Sequence, residues 1–318
     1  GNRDSMWDPY AGTLPVDTTF GGTITGSGAL NKVGTRTMTL TGTSTYTGDT
    51  ILTDGTLALD FPNAAVADNI LSPDSTLSLN GGTLLVAGTS WSLNSQTFDG
   101  LSVNSGASTV QLTSGGQPLL LDVGPIAYNG GSVLFVLPDG TQGGGNGVRT
   151  TTPAIGPWAT VSTLDGPVPA KVAWEPANSW GYIVAVEDSD FTEVTRLEGN
   201  KIIPDDPTAY VNIVEGTGAA ANITLAADTT TIVCLAQTTE GGTSPATIDL
   251  QGTRTLAVDG IVAEATTGAL TIGTAPGDGT LQSAVSGIFV QNDSDNAMTI
   301  NADIADGAGA TAVFKAGA

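Results

Sequence analysis

A short alternating pair of apolar residues, flanked by threonine and closed by glycine, returns along this chain about every twenty residues. No other feature limits its possible folds as much. Met38/Leu40 in RTMTLTG is followed by Leu57/Leu59 after 19 residues, Leu77/Leu79 after a further 20 and Leu101/Val103 after a further 24. Val110/Leu112 and the run GGSVLFVLPDG continue the series. From Ala221 it resumes as Ile223/Leu225, Ile248/Leu250, Leu270/Ile272 and Met298/Ile300, at spacings of 25, 22 and 28. A period of two is that of a strand, and its recurrence at one coil length is that of a stacked repeat. The reading is an all-β chain: a right-handed parallel β-solenoid with leucines stacked inside, threonines outside, coils about 4.8 Å apart, and little helix.

Composition agrees with a narrow core. The chain has 43 glycines and 48 threonines, and only 5% of its residues are aromatic, which suits corners and short strands rather than a wide globular interior. Its net charge is −22, and no lysine or arginine occurs between Arg36 and Arg149. Nucleic acid is therefore excluded as a partner, because phosphate neutralisation needs clustered cations, and an anionic membrane surface is excluded on the same ground. The acidity reads as a device that keeps an exposed β-rich surface soluble. No run approaches the ~20 apolar residues of a membrane-spanning helix. The single cysteine, Cys234 in TTTIVCLA, reads as a small buried apolar side chain sharing a strand face with Ile232.

Four segments are expected. Residues 1–20 carry Trp7, Tyr10 and Phe20 without periodicity and read as a cap or contact segment. Residues 21–137 form a β-solenoid. Residues 138–215 hold eight of the 16 prolines and three of the five tryptophans and read as an irregular insertion or boundary module. Residues 216–318 continue the solenoid.

The stretch GTITGSGALNKVGTRTMTLTGTSTYTGDTILTDGTLAL resembles the autotransporter-associated β-strand repeat of large bacterial surface proteins. The positions that carry the resemblance are Gly28, Leu30, Lys32, Gly34, Thr37, Leu40, Gly42, the run Thr45-Tyr46-Thr47-Gly48, Thr50 and Gly55-Thr56-Leu57. Arg36 and Met38 depart from the usual glycine and leucine. The tail TINADIADGAGATAVFKAGA is similar to the segment that precedes this repeat in long members. The resemblance implies a secreted β-solenoid at a bacterial cell surface, without a known catalytic role.

With no histidine in the chain, nucleophile–base triads and His-ligated zinc are excluded. Acidic pairs such as Asp188/Asp190, Asp205/Asp206 and Asp293/Asp295 are the raw material for carboxylate catalysis, but chance proximity accounts for them and no catalytic residue is assigned. No cofactor is expected. Calcium is the one metal that the oxygen-rich loops 187–190 and 292–296 suggest, although neither completes a known calcium loop. Trp158, Trp174, Trp180 and Tyr182 are candidates for glycan stacking, or else a small satellite core.

The preferred functional reading is a non-catalytic structural protein of a bacterial surface or extracellular fibre. It would self-assemble head-to-tail through Gly22, Ile24, Leu30, Met38 and Leu40 at one end and Val313 and Phe314 at the other. This contact is expected because the C-terminal GAGATAVFKAGA breaks off in mid-repeat. The alternative is a carbohydrate-binding adhesin or a carboxylate-dependent polysaccharide hydrolase, with a surface polysaccharide as partner.

Overall fold

The computed structural model describes residues 16–153, 155–163, 166–175, 178–197, 201–238, 242–283, 287–307 and 311–316. Most of the expected N-terminal segment, residues 1–15, lies outside them. The chain is all-β, a parallel β-solenoid, and none of the described residues is α-helical. It divides into two compact units, one built mainly from residues up to Ile155 together with Ala159–Ser162 and Ala170–Ala185, the other mainly from Val186 onward.

The first unit begins with β1 (Thr18–Phe20), β2 (Leu30–Lys32), β3 (Thr37–Leu40), β4 (Thr50–Leu52), β5 (Thr56–Asp60) and β6 (Thr76–Leu79). It continues with β7 (Gly82–Ala87), β8 (Asn94–Thr97), β9 (Gly100–Val103), β10 (Ala107–Thr113), β11 (Leu119–Asp122) and β12 (Ile126–Tyr128). The last are β13 (Ser132–Val136), β14 (Gly147–Thr150), β15 (Ala159–Thr163), β16 (Gly166–Glu175) and β17 (Trp180–Ala185). Three parallel ladders run through them. One face is β1-β3-β5-β7-β10-β13-β15, the second β2-β4-β6-β9-β12 and the third β8-β11-β14. The hairpin β16–β17 is antiparallel, and β17 runs antiparallel to β14 while β16 neighbours β15, so both edges of the last coil are occupied.

Along the first face, Met38, Leu57, Leu84, Val110, Phe135 and Val161 fall in one inward column, all buried. Thr37, Thr56, Thr83, Thr109, Leu134 and Thr160 form the adjacent outward column. Inward leucine and outward threonine follow directly from the alternation along each strand. The register corrects one detail of the spacing. Leu57 stacks on Leu84, not on Leu77, which lies on the second face between Thr50 and Leu101. The same apolar pair is used on more than one face of each coil, so an interval of 20 residues can step from face to face, whereas the coil from Leu57 to Leu84 is 27 residues long.

Corners explain the glycines. Gly55 has φ 65° and Gly131 φ 80°, and a Cβ at either would collide with the carbonyl oxygens of the coil below, Gly34 and Asn104 respectively. The threonine–tyrosine motif has a physical role as well. The Tyr46 ring is buried, its hydroxyl lies 2.5 Å from Thr50 Oγ1, and that hydroxyl lies 2.8 Å from Ser75 Oγ in the next coil. Lys32 occupies the inward column of the second face, in register with Leu52 and Leu79, and is 1% exposed. Its Nζ donates to the carbonyls of Val33 at 3.0 Å, Gly34 at 2.6 Å and Asp54 at 3.0 Å.

The second unit contains β18 (Phe191–Thr195), β19 (Ile202–Ile203), β20 (Tyr210–Val214), β21 (Thr224–Leu225), β22 (Thr229–Gln237), β23 (Ala246–Ile248) and β24 (Thr255–Ala263). It ends with β25 (Leu270–Ile272), β26 (Thr280–Gln282), β27 (Gly287–Asn292), β28 (Met298–Ile300), β29 (Asp303–Ile304) and β30 (Ala312–Ala316). All its described pairings are parallel. The core is aliphatic, with Val211, Ile213, Ile223, Ile248, Ile261 and Ile272 at its centre. Here the apolar pairs of the sequence do share a face: Ile223 bridges Ile248, which pairs with Ile272, which pairs with Ile300. Of residues 138–215, the stretch through β17 contributes strands to the first unit, and β18, β19 and β20 belong to the second.

Candidate functional site

Asp190, Asp205, Asp206 and Asp293 are all engaged in hydrogen bonds to the chain. Asp206 accepts hydrogen bonds from Thr208 Oγ1 at 2.7 Å and Thr208 N at 2.9 Å, which keep its carboxyl below the usual range. Asp205 Oδ1 accepts from Thr231 N at 2.9 Å, and Asp190 Oδ2 accepts from Glu187 N at 2.7 Å. In the loop expected to suit calcium, Asp293 takes the Gln291 amide at 2.5 Å, while Ser294 and Asn296 both donate to the Thr267 carbonyl, at 2.7 and 2.8 Å. Among the described residues no group of three or more His, Cys, Asp or Glu side chains is placed to hold a metal ion. Cys234 is fully buried beside Ile232, and burial pushes its thiol up to about 12.

Of the aromatic candidates, Trp180 and Tyr182 come together on β17. Their rings meet edge to face at 5.5 Å, and the Arg149 guanidinium lies 5.1 Å from the Trp180 ring centre, over its face. Arg149 is itself paired with Asp122. Tyr182 is buried, and its hydroxyl accepts from Gly145 N at 3.0 Å. Trp158 is buried and belongs to the second unit. Trp174 lies on β16, and its side chain is outside the described residues.

Of the expected assembly residues, Met38 and Leu40 are buried in β3, covered on one side by β1 and on the other by β5. Gly22 is exposed and Ile24 and Leu30 are half-buried in the first coil. Val313 is 46% exposed and Phe314 half-buried on β30, whose described partner is β27.

An open cleft of about 460 Å³ lies where the first face turns into the third. Three successive coils cross this corner, through residues 88–93, 114–118 and 137–146, and the third crossing is the longest. The extra length folds back over the middle loop, so that Leu93 Cδ1 comes within 3.4 Å of where a Gly145 Cβ would stand. Ser114, Gln117 and Pro118 line the cleft from the middle loop, and Asp139, Thr141 and Asn146 from the longest one. Gly116, Gly143 and Gly144 also line it, all at positive φ, with open space where each Cβ would stand. Two residues before Leu93, Trp91 stands 69% exposed, whereas other large aromatic side chains of this unit, Phe98 and Phe135, are buried.

The long loop is anchored from inside. Asn146 is buried; its Nδ2 donates to the carbonyls of Asp139 at 3.0 Å and Thr141 at 3.2 Å, and its Oδ1 accepts from Leu119 N at 3.2 Å. Gln142 Nε2 donates to the carbonyls of Pro138 and Gly140, each at 3.0 Å. Neither the cleft nor Trp91 stands out from apolar alternation, because both lie where alternation stops. The signals for them are a lone tryptophan in a Gly-Thr-Ser-Trp-Ser corner and a corner that doubles in length between one coil and the next.

Comparison with known proteins supplies the remaining observation. Over 264 residues, 81% of its length, the chain is 38% identical to the adhesin BmaC autotransporter of Brucella suis biovar 1 (strain 1330). The chain is related to an autotransporter adhesin. It spans 7% of that protein's length. No protein-family model matches it, and no solved structure does. The relationship bears out the autotransporter resemblance seen around Tyr46, and with it an extracellular, cell-surface location for this β-solenoid. No helix among the described residues is long and apolar enough to cross a membrane.

Proposed function

We propose that this chain is a non-catalytic adhesive portion of a bacterial surface protein, in which the solenoid is the rigid support and corner loops make the contacts. The carrying observation is the 38% identity to an autotransporter adhesin over most of the chain. The architecture supports it: stacked parallel ladders spend most residues on stacking, and the loops that leave them are free to vary without disturbing the core. The absence of histidine and the engagement of Asp190, Asp205, Asp206 and Asp293 in hydrogen bonds to the chain favour binding over turnover.

The test is adhesion of beads coated with the purified chain to mammalian cells and to extracellular matrix, with parallel turnover assays on the polysaccharides those surfaces carry. Adhesion above that of beads coated with an unrelated solenoid, without hydrolysis, is the expected outcome. Hydrolysis, or adhesion no better than the control, would refute the reading.

Head-to-tail stacking of copies is a second proposal, favoured by β30, which among the described strands pairs with β27 alone and leaves Val313 exposed. Electron microscopy of the purified chain tests it. Fibres that disappear on substituting Val313→Lys support stacking, and monodisperse single particles at high concentration exclude it.

A further inference from the structure

We infer that the corner cleft between residues 114–118 and 139–146 is a binding site for a neutral oligosaccharide, with Trp91 as a stacking surface beside it. The inference rests on the adhesive reading above and gives it a ligand class. A sugar presents hydroxyls that donate and accept at once, and a face of C–H groups. Side-chain amides and carboxylates match the first and an exposed indole matches the second. Gln117 and Asp139 are exposed on the two loops that line the cleft, and Trp91 belongs to the neighbouring loop 88–93, whose Leu93 Cδ1 lies 3.4 Å from where a Cβ at Gly145 of the longer loop would stand. The volume, about 460 Å³, falls within the range of small-ligand sites.

Two further observations narrow the ligand. The lining includes bare backbone at Gly116, Gly143 and Gly144, with open space beside each, so a ring can approach the main chain more closely than any other residue would permit. The lining includes no lysine or arginine, and Arg149 is engaged with Asp122 and Trp180. With Asp139 as the one charge of the lining, sialylated and uronic glycans meet repulsion and neutral ones do not. The loop is also preorganised. Asn146, Gln142 and the Tyr182 hydroxyl fix it before any ligand arrives, so little ordering cost falls on binding.

The experiment presents the full chain to an array of neutral, sialylated and uronic oligosaccharides, and then titrates the best neutral ligand by calorimetry. The expected result is binding confined to neutral glycans. It weakens at least tenfold in Ser114→Trp, which fills the cleft, and in Gln117→Ala, about fivefold in Trp91→Ala, and not at all in Trp180→Phe. Circular dichroism and the thermal midpoint check that each variant is folded. The cleft is excluded if no neutral glycan binds at millimolar concentration, if acidic glycans bind better, or if a folded Ser114→Trp binds as well as the parent. The two readings separate cleanly. Cell adhesion that survives Ser114→Trp leaves the adhesive function and removes the cleft, whereas neutral-glycan binding without cell adhesion leaves the cleft and removes the adhesive function.

Discussion

In the first unit glycine corners cut each coil into separate strands, three of them in β7–β9 and β10–β12, whereas in the second the nine-residue strands β22 and β24 run on without a corner and are succeeded by split pairs, β26 with β27 and β29 with β30. The units also treat interior polarity differently. The first buries a lysine, Lys32, that caps carbonyls of its own corner and of the next. The second buries an arginine, Arg196, whose guanidinium reaches the carbonyls of Ile213, at 3.1 Å, and Ser244, and lies 3.8 Å from Glu215. With its amide turned to satisfy both neighbours, Gln237 accepts from Arg196 at 3.3 Å and donates to Gly268 at 3.1 Å. Where corners are tight and glycine-rich, one ammonium suffices for the inward carbonyls. Where the coil is looser, a planar fork gathers carbonyls from positions 17 and 48 residues away.

The sharpest way to break this comparison is all or none. Cysteines replacing Thr56 and Thr83, which are Cα partners on the outer side of the first face, should form a disulfide on mild oxidation, since adjacent strands meet the Cα separation that the bond requires. Cysteines replacing Thr56 and Thr76 should not, because Thr76 pairs with Gly100 on another face. Buried Cys234 adds no background thiol. Mass spectrometry of the oxidised chain reads both, and the opposite pattern would discard the register.

Next in size is Arg196→Met, which strands the buried carbonyl of Ile213 and the part-buried one of Ser244 and should cost about 3 kcal/mol, at the upper end of the penalty for an unsatisfied buried group. Loss of hydrogen-exchange protection should centre on β20 and β22. Lys32→Met should cost less, about 2 kcal/mol, because its carbonyl partners are part-exposed and recover some hydration from water. Protection loss should centre on β2 and β4. A larger cost for lysine than for arginine would invert the account of the two corners.

Much of this fold is legible in the sequence, since alternation places Leu57, Leu84 and Ile248 inward without further information, and the Tyr46 motif names a repeat family. What alternation cannot give is which face a strand joins. TLSL at 76–79 and TLALD at 56–60 read alike, and only corner geometry sends them to different ladders. The candidate site was less legible. Trp158 and Tyr182 stand out as aromatic residues in a proline-rich stretch, but both are buried, whereas Trp91, 69% exposed, lies in a segment that otherwise reads as ordinary repeat. Exposure depends on how a corner loop stacks on its neighbours, and that information sits in loop length rather than in residue type.

The smallest effect follows from carboxylates of the second unit. Glu215 accepts hydrogen bonds from the Ser244 hydroxyl and, at 3.2 Å, from Ser244 N, and the first of these does most to hold its carboxyl below the ordinary value of 4.5. Burial raises Asp278, but hydrogen bonds from Thr274 N at 2.6 Å, Gly252 N at 2.5 Å and Thr274 Oγ1 at 2.9 Å more than offset it, so its carboxyl too is lowered. A carboxyl lowered in the folded state binds its proton more readily when unfolded. Its contribution is therefore complete above about pH 4.5 and is lost as pH falls through the folded value. Ser244→Ala should cost about 1 kcal/mol near neutrality, discounted because the Glu215 side chain is about one-third exposed to solvent, and the difference from the parent should shrink below pH 4.5. Urea unfolding of both proteins at pH 7 and pH 3.5 measures this. A difference that stays constant or widens in acid would show that Ser244 acts through packing of its loop and not through the carboxylate.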